Sequence, residues 1–272
     1  MKKSVLILNL VLILFLSFCA TKKQPKKDII IIPPGLEEAQ KYSAHGDFPE
    51  AMEAYHEAFH QNPGNDAVKN EYIQTLERIN LLAGKDFEQG NYLAANNRYY
   101  LLSKNFSKFE SFRESLSFDL KSIQVKMREC IAASAEAQAE KAFRDRDYSQ
   151  AVKAYKDALE AYPGDDYLSE SLSRTVKRIF DLSKKAMLQS DYLTAGKLSF
   201  LILEECAEED EIESILQNCS SQLKKRGLDL YRKGKLKQAI AVWKGILEFD
   251  PKNAEIKKAV ANAEEQLSRI KK

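Results

Sequence analysis

Apolar residues recur along most of the chain at intervals of three or four positions. The pattern is most regular in two segments, 66–89 and 166–189. Residues three and four positions apart share one face of an α-helix, so each segment predicts an amphipathic helix of about 24 residues, roughly 36 Å long. The apolar positions are Val68, Tyr72, Ile73, Leu76 and Ile79 in the first segment and Leu168, Leu172, Val176 and Ile179 in the second.

A turn pattern occurs five times along the chain. It begins at Gly46, Gly90, Arg146, Ser190 and Gly234, at intervals of 44, 56, 44 and 44 residues. In the first copy, Ala51, Tyr55 and Ala58 follow the turn at helical spacing, and Pro63 closes the segment. The alanines allow two helices to approach closely, the tyrosine fills the groove between them, and the proline ends the helix. The pattern therefore predicts a series of paired helices.

The order of turn glycine, small residue, aromatic residue, small residue and closing proline resembles the second half of a tetratricopeptide repeat. The resemblance implies an all-α fold, a TPR-like α-α superhelix (solenoid) of five helical hairpins. The repeats are about 10 residues longer than the usual repeat of about 34 residues, so we expect the first helix of each hairpin to be lengthened. Residues 36–104 would hold repeats one and two, 105–204 repeats three and four, and 205–252 repeat five, with 253–272 as a capping helix.

The longest interval between turns contains an inserted apolar stripe. From Phe109 to Ile131 the apolar residues step by three or four positions, which predicts one continuous helix over about residues 107–144. Such a helix would overhang its neighbours and expose Phe109, Phe112 and Leu116 as an apolar patch. A second copy of the chain, making a homodimer, or a client protein would cover this patch. The alternative is a separate short helix that folds back onto the array.

The chain begins with the pattern of a secretory signal. Lys2 and Lys3 precede an apolar run from Val5 to Leu16, which is shorter than the roughly 20 residues of a membrane-spanning helix. Residues 1–18 are therefore predicted to be a signal peptide, with an uncleaved anchor as the alternative.

The end of this signal, Leu16-Ser17-Phe18-Cys19, resembles a bacterial lipobox. The resemblance implies that Cys19 is lipidated and anchors the protein in the cell envelope. Ala20 follows, where a signal for retention in the inner membrane would have an acidic residue. We therefore expect an outer-membrane lipoprotein facing the periplasm, with inner-membrane attachment as the alternative. Residues 19–35, rich in lysine and proline, predict a flexible tether.

The repeat resemblance also implies a concave groove, lined by the first helices, that binds partner proteins. The positions carried over to this groove are Asn80, Phe87, Glu136, Glu140, Phe143, Phe180, Lys184, Lys224 and Tyr231. Ordinary packing between long helices is the alternative role of these residues.

A possible catalytic motif is His56-Glu57-Ala58-Phe59-His60, which matches the H-E-x-x-H pattern of zinc hydrolases. The repeat register places His56, Glu57 and His60 on the outer face of a helix. The equivalent positions 100 residues later are Lys156, Asp157 and Glu160, which do not form a ligand set. We therefore predict no catalytic site, no metal site and no cofactor.

The charges exclude one class of partner. Removal of residues 1–18 leaves 40 basic and 40 acidic residues, and such a balance gives no footprint for nucleic acid. The sequence predicts a non-catalytic, lipid-anchored scaffold for protein partners at the bacterial envelope, in the assembly of an outer-membrane or secretion complex. The alternatives are a solute-binding accessory of an envelope transporter and a metal-dependent envelope hydrolase acting through the histidine motif.

Overall fold

The computed structural model describes residues 35–203, 205 and 209–270. These residues form helices joined by short turns, with two short 3₁₀ segments (Phe106–Lys108 and Glu110–Ser115) and no β-strand. The α-helices of the described residues are α1 (Leu36–His45), α2 (Phe48–Gln61), α3 (Asp66–Glu88), α4 (Tyr92–Lys104), α5 (Leu120–Asp145), α6 (Tyr148–Ala161), α7 (Asp166–Leu188), α8 (Tyr192–Ile202), α9 (Glu209–Arg232), α10 (Leu236–Leu247) and α11 (Ala254–Ile270). The predicted all-α fold of helical hairpins is confirmed. The signal peptide, Cys19 and most of the tether lie outside the described residues.

Long and short helices alternate along the chain. Helices α3, α5, α7 and α9 have 23, 26, 23 and 24 residues, whereas α4, α6, α8 and α10 have 13, 14, 11 and 12. The predicted lengthening of the first helix is therefore confirmed in four hairpins, while α1 has only 10 residues. The predicted division into blocks 36–104, 105–204 and 205–252 stays a prediction.

The five turns of the sequence pattern share one backbone conformation. Each begins with a residue of positive φ: Gly46, Gly90, Arg146, Ser190 and Gly234, at 86°, 78°, 59°, 58° and 71°. A residue with a Cβ is strained in this left-handed conformation, whereas glycine is not. Arg146 and Ser190, which begin the third and fourth turns, are therefore strained. The same two turns have a side-chain cap on the next helix, because Asp147 accepts from the backbone N–H of Gln150 and Asp191 from that of Thr194. Capping a helix N-terminus contributes about 1 kcal/mol, which offsets a strain of similar size.

The small residue five positions after each turn is an alanine in every repeat. These alanines are Ala51, Ala95, Ala151, Ala195 and Ala239, and all of them are fully buried. A side chain of one methyl group lets the helix backbones approach, and larger residues nearby fill the remaining space. The sequence pattern thus marks the points of closest packing.

Contacts divide the chain into two compact units, the first ending at Tyr72 and the second beginning at Ile73, within α3. In the first unit, α1 packs against α2. The ring of Tyr55 stacks on that of Tyr72 with centroids 5.6 Å apart, and the Tyr55 hydroxyl donates to Glu71. The core of this unit contains Leu36, Ala39, Phe48, Met52 and Ala58.

In the second unit, each helix from α4 to α11 packs against the next one in the chain. Helix α9 contacts α7 as well as α8 and α10, so first helices of successive hairpins also meet. One continuous hydrophobic core extends from Ala135 in α5 to Ala263 in α11. Helix α11 contributes Ile256, Val260 and Ala263 to it, as expected of a capping helix.

The predicted overhanging helix over about residues 107–144 is wrong. Helix α5 begins only at Leu120, after a capping box in which Asp119 accepts from the N–H of Ser122 and the Ser122 hydroxyl oxygen accepts from the N–H of Asp119. Leu116 has an extended backbone, which turns the chain between the 3₁₀ segments and α5. A strong helix start, without proline or glycine, therefore separates the insertion from α5.

The predicted exposure of the patch Phe109, Phe112 and Leu116 is also wrong. Phe109 is fully buried, Phe112 is buried and Leu116 is half-buried. The ring of Phe109 lies 5.2 Å from that of Phe106 and 6.3 Å from that of Phe112, and the backbone N–H groups of Phe109 and Phe112 donate to the carbonyl oxygens three positions before them. The segment from Phe106 to Leu116 is instead folded back onto the array, as the alternative prediction stated. This arrangement removes the surface on which a homodimer through this segment was predicted.

The buried aromatic cluster predicts that Phe109→Ala destabilises the protein. Loss of a fully buried phenylalanine should lower the free energy of unfolding by about 3–5 kcal/mol, because it leaves a cavity. Chemical denaturation followed by circular dichroism measures this change. The control is Leu81→Ala, whose side chain is 59% exposed, and it should change the stability by less than about 0.5 kcal/mol. Equal stabilities of the two variants would contradict the burial of the insertion.

Candidate functional site

The predicted groove residues of the second unit lie where successive long helices meet. Polar contacts join these helices in order, from α5 to α7, from α7 to α9 and from α9 to α11. The pairs are Tyr167 with Glu136 (3.1 Å), Arg178 with Glu140 (2.8 Å), Lys184 with Glu211 (3.8 Å) and Lys224 with Glu255 (2.5 Å). Exposed pairs of this kind contribute about 1 kcal/mol or less to stability. The structure therefore places Glu136, Glu140, Lys184 and Lys224 at the contacts between successive long helices, and each has a partner on a neighbouring long helix.

The phenylalanines of the predicted groove are part of the core. Phe143 is 9% exposed and Phe180 only 3%. The guanidinium carbon of Arg178 lies 4.0 Å from the centre of the Phe143 ring, and Nζ of Lys184 lies 4.2 Å from that of Phe180. These cation–π contacts cover the rings. The packing alternative therefore describes Phe143 and Phe180 better than a role in binding.

Two predicted groove residues at the start of the second unit also make internal contacts. The side-chain oxygen of Asn80 accepts a hydrogen bond from Lys126 at 3.4 Å. Phe87 is half-buried, and its ring lies 5.3 Å from that of Tyr92 across the turn between α3 and α4. Asn80 thus connects α3 with α5, and Phe87 connects α3 with α4.

Lys224 and the last of the predicted residues, Tyr231, line cavities on α9. A larger cavity of about 720 Å³ lies between Phe200 of α8, one face of α9 and the connection from α10 to α11. A smaller cavity of about 250 Å³ lies between α9, α10 and α11, and Tyr231 lines it. Lys224 and Glu255 line both cavities, so their ion pair stands between them. We call the two cavities together the α9 groove.

Each cavity is lined by an aromatic ring that packs directly against the backbone of a glycine within a helix. The Trp243 indole occupies the space where a Cβ of Gly227 would be, and its Nε1 donates to the carbonyl oxygen of Lys224 at 3.5 Å. A Cβ on Gly196 would lie only 2.7 Å from a carbon of the Phe249 ring. The two rings can occupy these positions only because glycine has no side chain. Gly227 and Gly196 therefore shape the smaller and the larger cavity.

These groove residues were not identified from the sequence, although two signals pointed to them. Gly196 and Gly227 interrupt segments that are otherwise strongly helical, and glycine in a helix costs about 1 kcal/mol relative to alanine. Such a residue therefore indicates a close approach by another group. Trp243 is the only tryptophan of the chain and occupies the aromatic position of the fifth repeat, which is Tyr55 in the first and Tyr155 in the third.

The histidine motif lies on α2 in the first unit. His56 is half-buried, while Glu57 and His60 are exposed, as the repeat register predicts. The two imidazole rings are 6.2 Å apart and meet edge to face. The described residues contain no group of three or more histidine, cysteine or acidic side chains that could hold a metal ion.

Several buried ionisable groups have raised pKa values. Burial raises the pKa of the thiols of Cys130 and Cys219 to about 11, and that of the Tyr99 hydroxyl to about 12. The two thiols are free, and the sulfur of Cys219 lies 3.7 Å from that of Met187. At neutral pH these thiols stay protonated, and a thiol in this state is a poor nucleophile. The pKa shifts thus arise from core packing.

Among the described helices, none is both long and apolar enough to cross a membrane.

No family model and no curated protein matches the sequence. Solved structures to which the chain is similar include three repeat proteins. The first is a circular tandem repeat protein with a novel repeat topology and enhanced subunit contact surfaces, which is 13% identical and has a TM-score of 0.25. The match covers 88% of this chain and 65% of the length of that protein. The TPR domain of P58(IPK) is 16% identical, with 84% and 76% covered and a TM-score of 0.23. TTC0263, a thermophilic TPR protein of Thermus thermophilus, is 18% identical, with 84% and 96% covered and a TM-score of 0.17.

The contact of the Trp243 indole with Gly227 predicts that Gly227→Ala deforms the smaller cavity. The added methyl group has to displace the indole, which should destabilise the protein by about 1–3 kcal/mol and shift the tryptophan emission to longer wavelength. The matched control is Gly84→Ala on α3, because a Cβ there would lie 3.8 Å from the Tyr99 hydroxyl oxygen, an ordinary contact distance. This control should be neutral or more stable by up to about 1 kcal/mol. Unchanged emission of Gly227→Ala would show that the indole does not lie on this glycine.

Proposed function

We propose that the protein is a non-catalytic scaffold that binds protein partners through the α9 groove. The observation that carries the proposal is the pair of adjoining cavities, whose margins expose large apolar side chains. Phe200 is 43% exposed and Leu228 is 39% exposed. Apolar side chains grouped at a concave surface are typical of sites that another molecule covers. The repeat resemblance of the sequence supports a protein as that molecule.

We further propose that the scaffold is attached to the bacterial envelope by a lipid on Cys19. The signal pattern of residues 1–18 and the lipobox resemblance at Leu16-Ser17-Phe18-Cys19 support this proposal. The residue after the cysteine favours the outer membrane, with the protein facing the periplasm. A scaffold held there would gather the components of an outer-membrane or secretion complex. The inner membrane is the alternative site of attachment.

Solute binding is a second candidate function, favoured by one observation. The larger cavity, at about 720 Å³, falls within the range of about 300–1,000 Å³ that is usual for small-molecule sites. Its lining includes exposed polar side chains, among them Gln217, Ser221 and Lys252. A solute-binding accessory of a transporter would use this cavity, whereas a scaffold would use the whole groove.

The lipid anchor predicts that Cys19→Ser releases the protein from the membrane fraction. Cells that express the wild type or the variant are lysed, and the membranes are separated by flotation at high salt. The variant should appear in the soluble fraction, because a serine cannot carry the thioether-linked lipid. Cys130→Ser is the control and should still float, since this cysteine is buried in α5. If Cys19→Ser floats as the wild type does, the protein has an uncleaved anchor or a second attachment.

The groove itself is tested by site-specific crosslinking in cells. A photo-crosslinking amino acid replaces Leu228 at the smaller cavity, or Leu81 on α3, which is exposed and does not line either cavity. Capture of one defined protein at position 228, and not at position 81, would support the scaffold. Absence of any captured protein at position 228, with saturable binding of a small molecule to the larger cavity, would support the solute-binding function instead.

A further inference from the structure

The smaller cavity of the α9 groove is large enough to receive one amino-acid side chain. Its volume of about 250 Å³ lies below the range of about 300–1,000 Å³ for small-molecule sites. Leu228, Trp243, Ile256 and Ala259 make most of its lining apolar. Trp243 is 4% exposed and Ile256 is 1% exposed, so the core holds these walls in place. An apolar cavity with two buried walls can receive a single leucine-sized or phenylalanine-sized side chain.

The chain around the cavity is strongly basic. Residues 224–258 contain 11 lysines and arginines but only 4 acidic residues, although the whole chain is nearly neutral. Three of these four carboxylates already have partners, because Glu255 pairs with Lys224, Glu248 with Lys197, and Asp250 accepts from Asn253. Among the described residues, two of the eleven cations are paired, Lys224 with Glu255 and Lys244 with Glu264, so most of the positive charge of the segment is not compensated by these ion pairs. A whole-chain count of charges conceals this local excess.

Two of the basic residues are placed beside the cavity by helical register. Arg232 lies four positions after Leu228 on α9, and Lys258 lies four positions before Asn262 on α11. Residues four positions apart share a helix face, so each cation lies one helical turn from a residue that lines the cavity, one on α9 and the other on α11. Both residues are exposed to solvent. An acidic group on either side of an inserted side chain would thus meet a positive charge.

We propose that the smaller cavity recognises an acidic peptide segment of a partner protein, with one apolar side chain inserted beside Trp243 and acidic residues on both sides of it. This inference rests on the proposed scaffold function and specifies the chemistry of its partner. The apolar anchor supplies the burial of hydrophobic area, while the flanking carboxylates provide orientation and faster association.

The same basic surface fits nucleic acid or an anionic membrane less well. Binding of single-stranded nucleic acid uses exposed ring faces on which bases stack, and Trp243 is nearly covered. A membrane-binding surface inserts protruding apolar groups into the lipid, whereas this apolar surface is concave and receives a group. Both kinds of ligand are nevertheless included in the test.

The test measures peptide binding to the purified full chain by its fluorescence. Trp243 is the only tryptophan, so its emission reports on the cavity directly. The probe is a short peptide with one leucine flanked on both sides by glutamates. We expect saturable binding that weakens as salt rises. Replacing the leucine by serine should weaken it about tenfold or more, and replacing the glutamates by lysines should abolish it.

Variants of the protein locate the binding site. Leu228→Ser should weaken binding about tenfold, and Leu228→Met should retain it, while Leu81→Ser is the control for an exposed leucine outside the cavity. Arg232→Glu combined with Lys258→Glu should weaken binding and reduce its salt dependence. Lys177→Glu, an exposed lysine on α7, is the charge control. Thermal unfolding of each variant shows whether it is folded.

Several results would overturn the inference. Equal binding of the glutamate and lysine peptides would remove the electrostatic part, and equal binding by Leu228→Ser would place the site elsewhere. An equal change of Trp243 emission with single-stranded DNA, or with vesicles of anionic lipid, would assign the surface to those ligands. If the peptide does not bind but crosslinking at position 228 still captures a protein, the acidic-anchor chemistry is wrong while the scaffold function stands. If both fail, the scaffold function is wrong as well.

Discussion

The close approach of paired helices at a single alanine is the constraint on which the rest of this structure depends. The alanine five positions after each turn is fully buried in every repeat, so the helix backbones meet at these five points. A larger residue there would push the helices apart and open the core on both sides of the crossing. The aromatic position four residues later, buried as Tyr55, Tyr99, Tyr155 and Trp243, fills the space next to the crossing. In the fourth repeat this position is Ser199, whose hydroxyl lies 2.7 Å from that of Ser183. A polar pair has replaced the ring, and the helices remain close.

The α9 groove depends on the same kind of packing, with glycine in place of alanine at the point of closest approach. Where the second helix α10 meets α9, the small residue on α9 is Gly227, and the indole of Trp243 lies directly on its backbone. The ring of Phe249 lies in the same way on Gly196 of α8. Both aromatic side chains become fixed walls of cavities, because any movement toward the helix is blocked by the backbone and any movement away leaves the core unfilled. The site therefore derives its rigidity from the hydrophobic core, and its polar margin from the ion pair of Lys224 and Glu255.

The residues carried over to the predicted repeat groove contact other residues of this chain. Glu136, Glu140 and Lys184 make polar contacts between successive first helices, and Phe143 and Phe180 are covered by Arg178 and Lys184. The lengthened helices offer more surface to their neighbours than short ones, and these contacts occupy it. The two cavities of the α9 groove lie elsewhere, at the fifth repeat, where α9, α10 and α11 meet.

The sequence by itself determined the helices, their turns and the points of closest packing. Helical spacing of apolar residues depends only on local geometry, and a left-handed turn residue followed by alanine can be recognised without knowledge of its neighbours. The tertiary structure decided the insertion and the site. The stripe of Phe109, Phe112 and Leu116 fits an α-helix and a pair of 3₁₀ turns almost equally well, and burial of the phenylalanine rings selected the second. Gly227 and Trp243 are 16 residues apart on different helices, so their contact, and the cavity beside it, exists only once α9 and α10 are packed together. Periodicity reports which residues face inward, whereas only packing decides which of them meet.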